Sequence, residues 1–350
     1  MTEDEARLAV ALGIPAYGCD PALNDLGTKV GSRRIFAEEG VPHPAGLEVD
    51  GRADLPGALA ELRRRRPSLH GAVLKLDQGV SGLGNAIVDV RSAHENVEQA
   101  ISLEDPDTTL ARYLDELDAQ GGIVEERIEG DDLRSPSVQL RLSPAGQVEI
   151  LSTHDQVLGG PHGQTFFGSH FPADPGYAQL IAAEALKVGR RLARAGAIGR
   201  ASVDFVATRE DGRWVPYALE INLRSGGTTH SMMALTALTD GDYDPLSGEY
   251  RTRLGDIKHY AATDHLDSSA YETLTPDDLL DIVTERSLGW DAATESGVVL
   301  HMVSALAVAG RIGLTAIADD LDCARALYYE VKSALDHAAA LDPAPGPARI

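Results

Sequence analysis

Apolar and polar positions change period several times along the chain, and the changes outline its elements. EDEARLAVAL (Glu3–Leu12) predicts an acidic helix ending at Gly13, and IPAYGCDP a strand with a turn. LNDLGTKVGSRRIFAEEG reads as a helix closing at Gly40, VPHPAG as extended chain, and DLPGALAELRRRRPS as an amphipathic helix stopped by Pro67. GAVLKLDQGVSGLGNAIVDV reads strand, glycine loop, strand. A helix around Ala93–Ser102 and an acidic helix around Asp107–Gln120 precede GGIVEERIEG, a strand running into a turn. VQLRLSPAGQVEILSTHDQVL alternates on either side of a P-A-G turn, which predicts a hairpin. After the helix YAQLIAAEALKVGRRLARAG, a second hairpin, ASVDFVATREDGRWVPYALEINLRS, turns at Glu210–Asp211–Gly212. Beyond about residue 240 the character changes. GDYDPLSGEYRTRLGDIKHY is turn-rich, and LTPDDLLDIVTER starts a helix with Thr275 as N-cap and Pro276 at its first position. GVVLHMVSALAVAGRIGLTAIA predicts a hairpin turning at Gly310, DLDCARALYYEVKSALDHAAA a last helix, and DPAPGPARI a disordered tail. The class is α+β.

Composition narrows the function. A chain of 350 residues, 43% of them hydrophobic, has room for two or three domains with cores of their own. Its net charge of −23 disfavours nucleic acid and anionic membranes as partners. Any nucleotide would need local lysine, arginine, backbone N–H groups and metal ions to offset that background. Cys19 and Cys323 lie far apart and in no metal-like spacing, so neither a disulfide framework nor a zinc site is indicated. The acidic N-terminus lacks the order of a signal peptide, and residues 297–310 are too short an apolar run to span a bilayer. The expected location is the cytoplasm.

One stretch breaks the pattern of a core-building strand. In YALEINLRSGGTTH, alternation puts Glu220, Asn222 and Arg224 on one face and Leu219, Ile221 and Leu223 on the other. Across the same hairpin, Asp204 is flanked by Val203 and Phe205. Two carboxylates and an amide oxygen on paired strands suit a hard divalent cation such as Mg²⁺, which completes its shell with water and phosphate oxygens. An arginine beside them could grip a phosphoryl group in transit. A surface strand with an incidental ion pair among Asp204, Glu220 and Arg224 would present the same residues.

Upstream, Lys75 stands late in a β-run and is followed by Gly79, Gly82 and Gly84. Such a loop can fold its N–H groups around phosphate, with the lysine as a point charge; a flexible hairpin loop has the same composition. It is neither a P-loop nor a dinucleotide fingerprint. Arg63–Arg66, another basic run, is explained by cations at a helix C-terminus. His154, His162 and His170, spaced by eight, match no metal signature. They read as a long Gly-rich surface loop, or as a substrate cover in which His154, Asp155 or Gln164 orients an amine.

A strand lysine with a glycine loop, then VEERIEGDD, VDF and LEINLR, in that order, resembles the ATP-grasp superfamily. DLGTKVGSRRIFAEEGVPHP is similar to a lysine-bearing helix of D-alanine–D-alanine ligases. STHDQVLGGPHGQTFFGSHFPA, ALEINLRSGGTTH, the segment from TDGDYDPLSGEY to LGDIKHYAATDHL, and LTPDDLLDIV with GVVLHMVSALAVAGRIGLTAIA resemble peptide ligases of the pheganomycin type. The resemblance covers most of the chain.

It implies two α+β subdomains clamping ATP, with a C-terminal α+β extension. The divisions would be residues 1–20 as remnant of an N-terminal domain, 21–128 with the glycine lid, 129–240 with the metal set, 241–340 as extension and 341–350 as tail. Lys29 and Lys75 would bind phosphates under a lid containing Ser81, Gly82, Leu83 and Gly84. Glu125 and the backbone of Glu126, Arg127 and Ile128 would form the adenine hinge, and Asp132 would meet the ribose. Asp204, Glu220 and Asn222 would hold Mg²⁺, as two ions, with Arg224 and Lys75 acting on the reacting groups. Read by itself, the Gly226–His230 run after the metal strand is either a contact for the carboxyl phosphate, through its backbone N–H groups and His230 as a catalytic candidate, or a simple turn into a helix over Ser231–Leu238.

Two positions depart from relatives. Glu126 stands where many carry lysine, and Ser202 where D-alanine ligases carry an arginine, a role Arg224 would take over. The implied reaction joins an amino-acid-like carboxylate to an amino acid or peptide amine through an acyl phosphate, in specialised metabolism. The family's usual N-terminal domain is expected to be missing, and a homodimer or a partner subunit is among the expected assemblies. Two other readings share the motifs: a non-catalytic nucleotide-binding subunit, and an ATP-grasp enzyme that uses a thiol or only phosphorylates its substrate. The overall charge alone would favour a cationic substrate such as a guanidino acid.

Overall fold

The computed structural model describes the chain except residues 80–81, 94–96, 131 and 342–350. The expectations for Val80, Ser81 and the terminal tail therefore fall outside the described residues. Two compact units form: Met1–Phe166 with Asp174–Gly226, and Phe167–Ala173 with Gly227–Ile350.

The first unit begins with α1 (Glu3–Leu12), α2 (Lys29–Glu39), β1 (Gly46–Val49), α3 (Leu55–Arg65), β2 (Gly71–Leu76), β3 (Asn85–Asp89), β4 (Ile101–Leu103), α4 (Leu110–Gln120) and β5 (Gly122–Glu126). Its five strands lie in the order β1-β5-β2-β3-β4, every pair antiparallel. β2 is central and buried at all positions, Lys75 included. The apolar stripes of α3 and α4 (Leu59, Leu62, Leu114, Leu117) share a core with Leu74, Val88 and Val124. Burying each such side chain contributes about 1.5–3 kcal/mol, which offsets the cost of ordering the polar loop that the sheet carries.

The chain continues through β6 (Pro136–Leu142), β7 (Val148–Gly159), β8 (Thr165–Phe171), α5 (Pro175–Arg194), β9 (Gly199–Glu210) and β10 (Arg213–Asn222). β8 carries it into the second unit and back. A second antiparallel sheet of the first unit runs β10-β9-β6-β7. α5 packs on it through Tyr177, Ile181, Ala185, Val188 and Leu192, one face of a helix. Asp211 and Gly212, at φ 49° and 77°, make the tight turn between β9 and β10.

The second unit holds α6 (Thr229–Thr239), β11 (Asp242–Asp244), β12 (Glu249–Arg251), β13 (His259–Asp267), α7 (Pro276–Glu285), β14 (Gly297–His301), α8 (Leu306–Ala309), β15 (Arg311–Ala318) and α9 (Leu321–Leu341). Its sheet order is β8-β13-β15-β14, and α9 packs against β13, β14 and β15. Thr275 caps α7 in a capping box with Asp278.

Four expectations are corrected. The stretch 151–170 is not a long surface loop but most of β7, which completes the predicted hairpin with β6, then a turn and β8: His154 pairs with Ser137 inside the sheet and is fully buried. Residues 98–103 form a 3₁₀ turn and β4 in place of a helix, because Ile101 and Leu103 pair with β3. IPAYGCDP forms no strand; Pro21–Gly27 is a 3₁₀ turn. The link between β14 and β15 is not a tight turn at Gly310 but a 3₁₀ turn and α8, ended by Gly310 at φ 55°. No helix among the described residues is long and apolar enough to cross a membrane.

Candidate nucleotide and metal site

Antiparallel register builds the site. Asp204 on β9 stands directly opposite Glu220 on β10, and Ser202 opposite Asn222, so all four share one sheet face. Asn222 Nδ2 donates to Asp204 Oδ2 at 3.0 Å and to Glu220 Oε1 at 3.1 Å. Lys29, in the first turn of α2, closes an ion pair on Glu220 Oε2. The helix is held there by its cap: Thr28 Oγ1 accepts from Gly31 N, and Asp77, just past β2, accepts Val30 N through Oδ1 at 2.8 Å. Ser32 Oγ also accepts Ile221 N at 2.9 Å, stitching α2 to the metal strand.

Burial raises the Asp204 carboxyl, and the adjoining Glu220 charge raises it further. Burial also works against Glu220, but the Lys29 and Lys75 ammonium groups outweigh it and hold that carboxyl low. Two half-buried carboxylates held side by side on paired strands are a site that a divalent ion suits. The donor set is hard oxygen, and turning the Asn222 amide about its last bond exchanges Nδ2 for Oδ1 without moving the backbone. Asp204, Glu220 and Asn222 therefore fit Mg²⁺.

Lys75 is 4% exposed and pairs with Glu125 Oε1 at 2.5 Å; Arg33 reaches Glu125 Oε2 at 3.4 Å. Glu125 is thus held as a buried counterion. Beyond Lys75 the glycine loop has a narrow neck, since a Cβ on Gly79 would stand 3.3 Å from Gly84 Cα. Tyr113 of α4 braces this neck by donating to the carbonyls of Leu74 and Gly84. Gly82, at φ 80°, passes so close to Gln164 that a Cβ would sit 2.1 Å from its carbonyl oxygen. Leu83 at the tip is exposed.

Other candidates fall elsewhere. Glu126 accepts Ala45 N at 2.7 Å and pairs with Arg66 at 2.9 Å, while Arg127 N donates to Gly71 O at 3.1 Å, which continues the pairing of β5 with β2. Ile128 follows in the extended chain after β5. Asp132 forms ion pairs with Arg134 at 2.7 Å and Arg209 at 3.2 Å. Arg224 donates to Ser225 O at 3.0 Å and weakly, at 3.4 Å, to Asn222 Oδ1. His230 belongs to the second unit, where its Nε2 meets His301 Nε2 at 2.7 Å. Burial drives His154 down to about 3, so it is a neutral core residue and no base for an incoming amine. Asp155 accepts Tyr177 Oη at 2.6 Å and Asp174 N at 3.0 Å, tying β7 to the start of α5.

Sequence reading missed Asp77, Arg33 and Glu104. The first follows the strand lysine by two residues, a usable signal; the others act through long-range contacts that no local pattern announces. Glu104, 1% exposed, accepts His162 N, Gln164 N and Thr165 Oγ1 and so fixes the turn that backs the glycine loop.

A family model described as IQCH-like, ATP-grasp matches residues 108–244, which include Glu125, Asp204, Glu220 and Asn222, and one described as PGM1 C-terminal domain matches residues 278–331. The chain has the ATP-grasp fold. It is 30% identical over 296 residues to an L-propargylglycine–L-glutamate ligase of Streptantibioticus cattleyicolor, a match covering 83% of this chain and 60% of that protein. Among solved ATP-grasp structures, it superposes on biotin carboxylase of Campylobacter jejuni with a TM-score of 0.61 at 14% identity, covering 98% of this chain and 76% of that one. The biotin carboxylase domain of Hydrogenobacter thermophilus 2-oxoglutarate carboxylase gives 0.57 at 15% identity, covering 91% and 67%. These ATP-grasp likenesses to structures concern the fold.

Proposed function

We propose that the protein is an ATP-dependent, ADP-forming carboxylate–amine ligase. The observation that carries this reading is the convergence of Lys29, Asp204, Glu220 and Asn222 on one sheet face, with Lys75 at the base of a glycine loop. The ligase relative, and the solved relatives crystallised with MgADP or a β,γ-ATP analogue, support it.

In the proposed reaction a substrate carboxylate oxygen attacks the γ-phosphorus of ATP, the bond to the bridging oxygen breaks, and ADP leaves. The amine nitrogen then attacks the carbonyl carbon of the acyl phosphate; the carbon–oxygen bond to phosphate breaks and the amine gives up its proton. Lys29 and Lys75 neutralise phosphate charge, and Arg224 lies beside the metal set to hold the group in transit. A divalent cation on Asp204, Glu220 and Asn222 would supply further charge neutralisation there. The backbone around Gly82 and Gly84 would exclude water from the phosphates, and Glu125 to Ile128 with Asp132 would bind the nucleoside.

The test is incubation with Mg-ATP, hydroxylamine and a panel of amino acids. ADP release and hydroxamate should both depend on one carboxylate class. ATP binding without turnover across the panel would replace the ligase with a nucleotide-binding subunit.

A further inference from the structure

The arginine face of the metal sheet has a second purpose. Register puts Arg141 on β6 directly opposite Arg200 on β9, and Arg224 lies two residues past Asn222, where the pairing of β10 with β9 ends. The row follows Gln139, Ser202 and Asn222, two residues or about 7 Å further along the strands. Like charges directly opposite are destabilising. Arg141 is relieved by Glu149, but Arg200, half-buried, makes no ion pair or side-chain hydrogen bond among the described residues. Arg224 likewise has no carboxylate partner among them. Arg200 and Arg224 line one cavity of about 430 Å³, walled by Leu223, Tyr17, Cys19 and Glu5 of α1.

We infer that this cavity takes the carboxylate substrate, and that the substrate is an acidic amino acid with two carboxylates. This rests on the ligase reading. One carboxylate lies at Arg224 beside the metal set and is the one phosphorylated; the other is held by Arg200 and is not consumed. Glu5, whose Oε2 takes Thr2 N at 2.6 Å, also lines the cavity and would accept the ammonium group through its other oxygen. The chain's net charge of −23 thus says nothing of this pocket, which is lined by two guanidinium groups and one carboxylate, Glu5. A half-buried guanidinium without a partner is costly until an anion arrives, and charge-assisted bonds to a planar carboxylate are the strongest it can make.

The experiment is calorimetric titration of the full chain, with Mg-ADP present, using L-glutamate and its neutral isostere L-glutamine. Glutamate should bind about tenfold tighter or better, and Arg200→Gln should erase that difference while Mg-ADP affinity is retained; Arg200→Lys should keep part of it. Equal affinities in the parent protein, discrimination that survives Arg200→Gln, or no glutamate binding would each overturn the assignment. ADP release measured in parallel separates the two readings. Glutamate binding without turnover removes the ligase and leaves the site, whereas turnover of neutral acids alone removes the site and leaves the ligase.

Discussion

Replacing Glu220 with glutamine should lower turnover by about three orders of magnitude or more, because phosphoryl transfer relies on charge placement rather than covalent help. The folded state should survive. The substitution loses the Lys29 ion pair yet also relieves the repulsion that raises Asp204. Since the lysines outweigh burial at Glu220, the balance is a net loss, about 1–3 kcal/mol. ADP release under saturating Mg-ATP, with a thermal melt beside it, checks both statements. An enzyme within tenfold of the parent would remove Glu220 from the metal set.

Lys75→Met should be the more damaging change to stability. Lys75 and Glu125 are 4% and 3% exposed, and removing one partner of such a pair costs about 3–5 kcal/mol because the other charge stays buried. Arg33, at 3.4 Å, retains part of the Glu125 interaction, which places the cost at the lower end. Adding Glu125→Gln should restore much of the lost stability, as a double-mutant cycle would reveal, but none of the activity. Turnover should fall about a hundredfold or more in both, since the phosphates lose a cation either way. Recovery of turnover in the double variant would make Lys75 structural.

These two sites were legible in the sequence to different degrees. Period-two alternation alone put Glu220, Asn222 and Arg224 on one face, and the register of β9 and β10 adds Asp204 to it. The same rule puts Arg200 on the Asp204 face, a signal present in GRASVDF but overlooked beside the metal residues. The Lys75–Glu125 pair was not legible, because it depends on which strands become neighbours across a sheet. The loop reading of residues 151–170 misled for a physical reason. Glycines and histidines suggest loop by composition, yet a strand tolerates a neutral buried imidazole when its backbone bonds are met by β6. Near Ala93–Ser102, local helix preference lost to pairing of Ile101 and Leu103 with β3, a tertiary gain no window of sequence contains.

The account stands or falls on where the metal set points once nucleotide is bound. A crystal structure of the full chain with a Mg²⁺-loaded, non-hydrolysable ATP analogue should place the ion on oxygens of Asp204, Glu220 and Asn222. It should also show Lys29 and Lys75 turned from their carboxylates onto phosphate oxygens. Finding Lys29 still on Glu220, with the nucleotide and its metal bound elsewhere, would contradict it.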